Sequence, residues 1–220
     1  MVYIYYHIYA IDGVESIIDE QLKLIQTHFN FPFILNVGIS IANENVSSKE
    51  IIEKFYKFNK PNYKIRDIRC KGNEFVTLDL IEEDKNIFKD SDYILYIHTK
   101  GASKQKEAVY KNIKTWRELM NYFNIEKVKS VIKIFEKSDF NTYGVLYSEL
   151  ANWKLYSGNF WWMKGSYAKT ISLDSVKRNN RFYAETQFVS MGENWNPYSP
   201  YNRTGENHYD IEFKKEEYAK

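Results

Sequence analysis

The sequence predicts an α/β fold in which a mainly parallel sheet is flanked by helices. Strand-like apolar runs and helix-like segments alternate four times within the first hundred residues, which is the pattern of parallel strands joined by helical crossovers. The apolar runs are nearly continuous, as expected of strands that are covered on both faces. At 220 residues, with 44% hydrophobic and 27% charged residues, the chain fits one globular domain.

The first half contains four predicted strands and three predicted helices. β-branched and aromatic residues, which favour strands, dominate residues 2–10, 32–41, 63–70 and 92–98. Helical spacing of apolar residues, or a candidate serine cap, predicts helices over residues 14–29, 47–58 and 71–86.

The second half has a different character. We predict helices over residues 106–124 and 126–138, strands over 142–149 and 157–165, and short helices over 166–171 and 181–192. The last residues, 214–220, are expected to be a frayed charged terminus. Four of the five tryptophans lie at or after position 153, so aromatic side chains are concentrated in this half.

Charge and cysteine content exclude several classes of function. The chain carries 31 basic and 29 acidic residues, so it lacks the basic field that non-specific nucleic-acid binding requires. The single Cys70 excludes an internal disulfide and a multi-cysteine zinc site, and it fits a reducing compartment. No apolar run reaches the roughly 18 residues of a membrane span, and the N-terminus lacks the features of a signal peptide. We expect a cytoplasmic protein, in a bacterium or in a virus-infected host cell.

Two nucleotide-binding motifs are absent and one metal motif is misplaced. Neither GxGxxG nor GxxxxGK[ST] occurs, which excludes a Rossmann dinucleotide site and a P-loop. Asp90-Ser91-Asp92 has the spacing of two carboxylates that share a divalent cation. It precedes a strand, however, and so lies at the amino end of the sheet, roughly 20 Å from the opposite edge. We interpret it as a turn at the start of that strand.

The carboxyl ends of the predicted strands carry polar residues. In an open α/β sheet, ligands bind beyond these ends, and here they present residues 7–9, Asn43, residues 71–73 and residues 98–101. Such an edge suits a nucleotide or a phosphate. His7 and Tyr9 would face the base and the ribose, and Asn73 belongs to the same edge.

The stretch His98-Thr99-Lys100-Gly101 is the most polar of these strand ends. Lys100 can neutralise diphosphate charge, Thr99 can donate a hydrogen bond, and Gly101 lets the backbone approach a ligand closely. The alternative is a plain exit from the strand with solvated polar side chains.

The order of several motifs resembles that of a known family. An aromatic first strand is followed by KGNEFVTLDLIEE, YILYIHTKGA, TWRELM, SGNFWWMKGSYAKTI and RFYAETQFVSMG. Over residues 2–192 this order resembles the GT-A-type glycosyltransferases, in particular the rhamnan-synthesis-like and the large-DNA-virus or phage sugar transferases. Each motif is weak by itself, and the specificity comes from their order and spacing.

The resemblance implies a sugar transferase with two functional halves. Residues 1–101 would bind a nucleotide-diphospho-sugar donor, with uridine-linked donors favoured, and residues 102–220 would bind a glycan or glycoprotein acceptor. The implied activity is that of a hexosyltransferase, inverting rather than retaining, in glycan biosynthesis. The chain would be either a whole protein or one domain of a longer one.

The metal site departs from the family pattern. Transferases of this fold carry Asp-x-Asp at the end of the fourth strand, where it holds Mn²⁺ or Mg²⁺ on the diphosphate, but here that position reads His98-Thr99-Lys100. Either His98 is a metal ligand assisted by other side chains, with His208 as a further candidate, or Lys100 and Arg117 replace the metal. We favour the second alternative because a metal ion and an adjacent lysine repel each other.

The resemblance also assigns the catalytic base. Inverting transfer needs a general base near the acceptor hydroxyl, and Glu185 matches the family's acidic residue at the start of a helix after the aromatic strand. Asp174 and Glu149 are weaker candidates.

The aromatic strand and its turn supply the remaining candidate site residues. The turn at Gly158 and Asn159 would lie next to the donor sugar. Trp161 and Trp162 are adjacent and would point to opposite faces of a strand, so one would lie in the core and the other in the acceptor cleft. Tyr183 is a second stacking candidate.

Two other classes of function compete with a transferase. A catalytically silent nucleotide- or carbohydrate-binding module of the same fold is suggested by the missing Asp-x-Asp. A nucleic-acid-binding protein would use the Lys-rich helices between residues 104 and 137, but the acidic residues interspersed there favour a merely solvated face.

Overall fold

A mixed β-sheet lies at the centre of the protein. The computed structural model describes residues 1–42, 48–57, 63–70, 72–150, 153–174, 176, 178, 180–203 and 205–219. Asn43 and Lys71, two of the strand-end residues considered above, lie outside these ranges. The strands are β1 (Val2–Ala10), β2 (Phe33–Ile41), β3 (Tyr63–Cys70), β4 (Tyr93–His98), β5 (Thr142–Gly144), β6 (Tyr147–Leu150), β7 (Trp153–Tyr156), β8 (Trp161–Lys164) and β9 (Pro197–Tyr198).

The order of strands across the sheet reverses between β1 and β4. The sheet runs β3-β2-β1-β4-β8-β5-β9, and β6 pairs with β7 in a separate hairpin. The first four strands are parallel, as predicted, whereas β8 is antiparallel to both β4 and β5. From β1 the chain builds outward to β2 and β3 on one side and then returns to place β4 on the other. This reversal is a topological switch point, where α/β sheets open a crevice for ligands.

Helices cover both faces of the sheet. They are α1 (Glu15–His28), α2 (Ser48–Lys57), α3 (Phe75–Asp84), α4 (Tyr110–Asn121), α5 (Val128–Lys137), α6 (Gly165–Ala168), α7 (Arg181–Thr186) and α8 (Lys215–Tyr218). One apolar core lies between the sheet and α1, α2, α4 and α5, and a second lies between the other face and α3, α6 and α7. The α/β class predicted from the sequence is therefore confirmed. None of the helices in the described ranges has both the length and the apolar character needed to cross a bilayer.

Three predictions about the second half need correction. The strand expected over 142–149 is broken into β5 and β6 by Leu146, whose φ of 56° turns the chain. The strand expected over 157–165 begins only at Trp161, because Gly158 and Asn159 both have positive φ and form a turn. The terminus is not frayed: α8 forms there and packs Tyr218 against Tyr122.

Candidate active site

A cleft of about 290 Å³ opens at the switch point. Its walls come from the carboxyl ends of β1 and β4, the turn before α3, the loop after Gly101, and α7. Of the residues predicted for the site, it brings together His7, Tyr9, Asn73, residues 98–101 and Glu185. The cleft takes residues from both halves of the chain.

The ends of β1 and β4 are tied together side by side. His7 and His98 are register partners, and the backbone N–H of Tyr9 donates to Oγ1 of Thr99 at 2.9 Å. The hydroxyl of Thr99 is thereby used to fix the strand end. Gly101 follows with φ 87°, and a Cβ there would lie 2.8 Å from the side chain of Ile113. The sharp turn after the strand therefore requires glycine.

Lys100 and Arg181 give the cleft its positive charge. The ammonium of Lys100 lies 4.3 Å from the centre of the Trp116 ring and 5.9 Å from that of Tyr209, an aromatic setting that favours a cation. Within the described part of the chain, neither Lys100 nor Arg181 forms an ion pair with a carboxylate. Two cations in one cleft, neither in direct contact with a carboxylate of the described residues, suit an anionic ligand.

Arg117 is not in the cleft, and the role expected for it is wrong. Its guanidinium is buried, 2.9 Å from Glu20, and it donates to the backbone carbonyl of Lys100, also at 2.9 Å. Two further N–H groups form a bidentate contact with Glu20. Arg117 therefore holds the loop that carries Lys100 in place, and Arg181 is the second cation that faces the ligand space.

Glu74 is the main site residue that the sequence analysis missed. It lies directly before α3 and lines the cleft. One of its oxygens, Oε2, accepts hydrogen bonds from the hydroxyl of Tyr96 at 2.7 Å and from Nδ2 of Asn159. Burial raises the pKa of Glu74 above its usual range, although these hydrogen bonds and the charge of Lys100 act in the opposite direction. Carboxylates perturbed in this way cluster at functional sites.

Both strand-end histidines are neutral at physiological pH. Burial, together with the charge of Lys100, lowers the pKa of His98 to about 4. Burial, with a contribution from His98, lowers the pKa of His7 to about 3. The ring nitrogens of His7 lie 3.0 Å from the hydroxyl of Thr77 and 3.1 Å from that of Ser40. His7 is thus held rigidly at the edge of the cleft.

Glu185 reaches the cleft from α7. Asn180 caps the start of this helix: its side chain accepts a hydrogen bond from the backbone N–H of Phe182. Glu185 is half-buried, and its negative charge counteracts the lowering of the His98 pKa. It is a carboxylate close to the histidine that ends β4. The two weaker candidates for the base, Asp174 and Glu149, do not line the cleft.

The turn at Gly158 and Asn159 lies behind the cleft wall. The carbonyl of Gly158 accepts a hydrogen bond from Nε2 of His98 at 2.8 Å, and the amide of Asn159 donates to Glu74. Neither residue lines the cleft. Through these hydrogen bonds they position His98 and Glu74.

The expectation that Trp161 or Trp162 faces a ligand is wrong. Both indoles are fully buried, because β8 lies between β4 and β5 and both of its faces are covered. Trp161 stacks on Tyr96 with ring centres 4.9 Å apart, and Trp162 stacks on Phe29. Both indole N–H groups are satisfied within the core. Tyr183 packs against the core that contains Trp161 and does not line the cleft.

Within the described ranges, the candidate metal ligands at this edge do not form a set of three or more. His98 uses Nε2 on the carbonyl of Gly158, and its Nδ1 lies 3.9 Å from Oε1 of Glu74. His208 is hydrogen-bonded to Ser157 through Nδ1. Among the residues that the structure describes, no three His, Cys, Asp or Glu side chains converge as metal ligands, and the Lys100 ammonium beside His98 opposes a metal ion.

Asp90-Ser91-Asp92 forms the turn that the sequence predicts. Asp92 accepts a hydrogen bond from the backbone N–H of Lys89 and pairs with the N-terminal ammonium at 2.9 Å. Asp90 pairs with Lys169. The motif precedes β4, at the amino end of the sheet.

Glu74, Arg181 and Tyr209 escaped sequence reasoning for one reason. They meet in the cleft from three distant parts of the chain: the start of α3, the start of α7 and the C-terminal segment. Only Glu74 left a usable signal, as an acidic residue in the polar strand end after β3. Arg181 and Tyr209 look like ordinary surface residues until the fold is known.

The sequence places the chain in a family. No curated protein matches it. The profile of a family described as a domain of unknown function (DUF8361) matches residues 5–213, which span all of the cleft residues named above. The chain belongs to this DUF8361 family.

Proposed function

We propose that the protein is a GT-A-like glycosyltransferase that transfers a sugar from a nucleotide-diphospho-sugar to a glycan or glycoprotein acceptor. The observation that carries this proposal is the cleft at the switch point, in which Lys100 and Arg181 lie close to the carboxylates Glu185 and Glu74. Cations for a diphosphate and a carboxylate for an acceptor hydroxyl are the two requirements of the reaction. The resemblance of the motif order supports the same class.

The architecture supports the proposed placement of the donor. The crevice lies between β1 and β4, where the parallel strands β3-β2-β1-β4 reverse their order and an antiparallel strand follows. Ligands bind at such a crevice. The donor's diphosphate would lie beside Lys100 and Arg181. Tyr9 and Asn73, on the β1 and β3 side of the same cleft, would face the nucleoside. Uridine-linked donors are the favoured class.

In the proposed reaction, Glu185 acts as the general base. The oxygen of the acceptor hydroxyl attacks the anomeric carbon of the donor sugar, and the bond from that carbon to the diphosphate oxygen breaks. Glu185 takes the proton of the hydroxyl, and the nucleoside diphosphate leaves with the bonding electron pair. Lys100 and Arg181 stabilise the negative charge that develops on the leaving group. No step is assigned to a metal ion.

A ring for stacking on the acceptor must come from outside β8. Phe182 is 53% exposed and adjacent to Arg181, and Tyr209 is 40% exposed and lines the cleft. These two rings replace Trp161 and Trp162 as the proposed acceptor contacts, since exposed aromatic faces can pack against sugar rings.

A panel of nucleotide sugars tests the proposal. We expect at least one uridine- or guanosine-linked donor to raise the melting temperature at millimolar concentration and to release its nucleoside diphosphate, with or without Mn²⁺. Donor binding without release, with any acceptor offered, would instead identify a silent binding module. If no donor in the panel binds under either condition, the proposal is refuted.

A further inference from the structure

Two hydrogen-bond acceptors face each other inside the cleft. Nδ1 of His98 and Oε1 of Glu74 lie 3.9 Å apart. The tautomer of His98 follows from its other nitrogen: the carbonyl of Gly158, 2.8 Å from Nε2, can only accept, so Nε2 carries the proton. In the neutral ring, Nδ1 is then a bare acceptor. A gap of this length is too long for a direct hydrogen bond between the two groups.

The carboxylate of Glu74 is held in a fixed orientation. Tyr96 and Asn159 both donate to Oε2, and both residues are buried. Asn159 is itself fixed, because its Oδ1 accepts the indole N–H of Trp161 at 2.7 Å. No donor among the described residues lies within hydrogen-bonding distance of Oε1. One oxygen is therefore saturated by the protein, and the other faces the cleft with its acceptor capacity unused.

We propose that Oε1 of Glu74 and Nδ1 of His98 together bind a vicinal diol of the ligand. Two hydroxyl groups on neighbouring ring carbons project side by side, and each can donate to one of the two acceptors. A ligand with two donors removes the repulsion between the facing acceptors and satisfies both. Because Lys100 lies beside His98 in the same cleft, the diol belongs to a ligand that also carries an anionic group.

The inference deepens the proposed function and rests on it for the source of the diol. A nucleotide sugar carries vicinal hydroxyl groups on its ribose and on the transferred hexose, and both share the chemistry that this pair of acceptors recognises. A ligand without the second hydroxyl leaves a buried acceptor unpaired. Its affinity should fall by about tenfold to a hundredfold.

Small sugar phosphates test the inference without a nucleotide. Calorimetry compares ribose 5-phosphate with 2-deoxyribose 5-phosphate, and glucose 1-phosphate with its 3-deoxy form, which has no adjacent hydroxyl pair. We expect the wild type to prefer the diol in one pair by about tenfold or more. The pair that shows this preference identifies the source. Glu74→Gln replaces the free acceptor oxygen with an amide donor and should abolish the preference.

Glu83→Gln is the matched control. Glu83 lies on α3, the helix that follows Glu74, and its side chain is exposed at the surface, so this variant should keep the preference of the wild type. The inference is overturned if the wild type binds both members of each pair equally, if it binds none of the four, or if Glu74→Gln keeps the preference. If the wild type prefers the diol ligand but transfers no sugar from any donor, the proposed function is overturned and this inference stands.

The pH dependence of the wild type provides a second test if Glu74→Gln does not fold. The groups that face Glu74 are His98, Tyr96, Lys100 and Arg181. Burial raises the pKa of Glu74, so its carboxylate protonates at a higher pH than usual. The diol preference should then decline as the pH falls through that pKa, before His98 is protonated near its pKa of about 4. Both members of each pair carry the same phosphate, so its titration affects both affinities alike and does not change the preference. A preference that does not change over this range overturns the inference.

Discussion

Lys100→Met removes an ammonium group from the cleft and keeps most of the side chain's volume. The ammonium lies 4.3 Å from the centre of the Trp116 ring, and no carboxylate in the described ranges pairs with it. In the proposed complex it would form a charged hydrogen bond with the diphosphate in a partly desolvated site. Such a bond contributes about 1.5–3 kcal/mol. The dissociation constant for a nucleoside diphosphate should therefore rise by about 10- to 150-fold.

Calorimetry with uridine diphosphate at fixed ionic strength measures this change. Lys104→Met is the matched control, because Lys104 also lines the cleft but is exposed and pairs with Glu107 at 2.8 Å. A screened surface charge contributes at most about 1 kcal/mol, so the control should weaken binding by less than about fivefold.

Lys100→Met can also be tested without a ligand. The charge of Lys100 is the second contribution, after burial, that lowers the pKa of His98 to about 4. Lys100→Met should therefore raise the pKa of His98, as measured by NMR titration of its ring, while burial keeps it below that of a free histidine. The reasoning is refuted if Lys100→Met binds uridine diphosphate as tightly as the wild type, or if Lys104→Met weakens binding equally.

Two further pairs of variants separate structural from ligand-binding roles. Arg117→Leu should lower the free energy of unfolding by about 3 kcal/mol, because it breaks a buried ion pair, whereas Arg181→Leu should change it by less than about 0.5 kcal/mol and instead weaken donor binding. Denaturant titration measures both free energies of unfolding. Equal stability of the two variants would contradict a structural role for Arg117 and a ligand-binding role for Arg181. Gly158→Ala should cost about 1–3 kcal/mol more than Gly205→Ala. Both glycines have positive φ, but a Cβ at the first would overlap the side chain of Met120, whereas a Cβ at the second meets nothing within 4 Å. Equal costs would refute the packing argument.

The first half of the fold could be predicted closely from the sequence. Strands β1 to β4 lie within one residue of their predicted bounds, because each is a continuous apolar run that ends at a turn. The position of the cleft followed from general rules for parallel sheets. In the second half, short strands with interspersed turns left no comparable pattern, and β7 was not predicted.

The candidate site was predicted only in part, because the rest of it depends on tertiary contacts. Strand-end residues such as His98 and Lys100 could be found because their position follows from local sequence and topology. Trp161 and Trp162 were misassigned because alternation along a strand tells which residues share a face but not whether both faces are covered. Arg117 was misassigned because its partner, Glu20, is 97 residues away along the chain.

The most direct test of the central claim compares sugar transfer by the wild type and by Glu185→Gln. For a donor that binds the wild type, we predict that the substitution lowers kcat by about 10²- to 10⁴-fold. Removing the base should leave the dissociation constant of the donor within about twofold of the wild-type value, a change of less than about 0.5 kcal/mol. Calorimetry measures donor binding, and an assay of nucleoside diphosphate release measures turnover. Full turnover by Glu185→Gln, or a wild type that turns over no donor, would contradict the account.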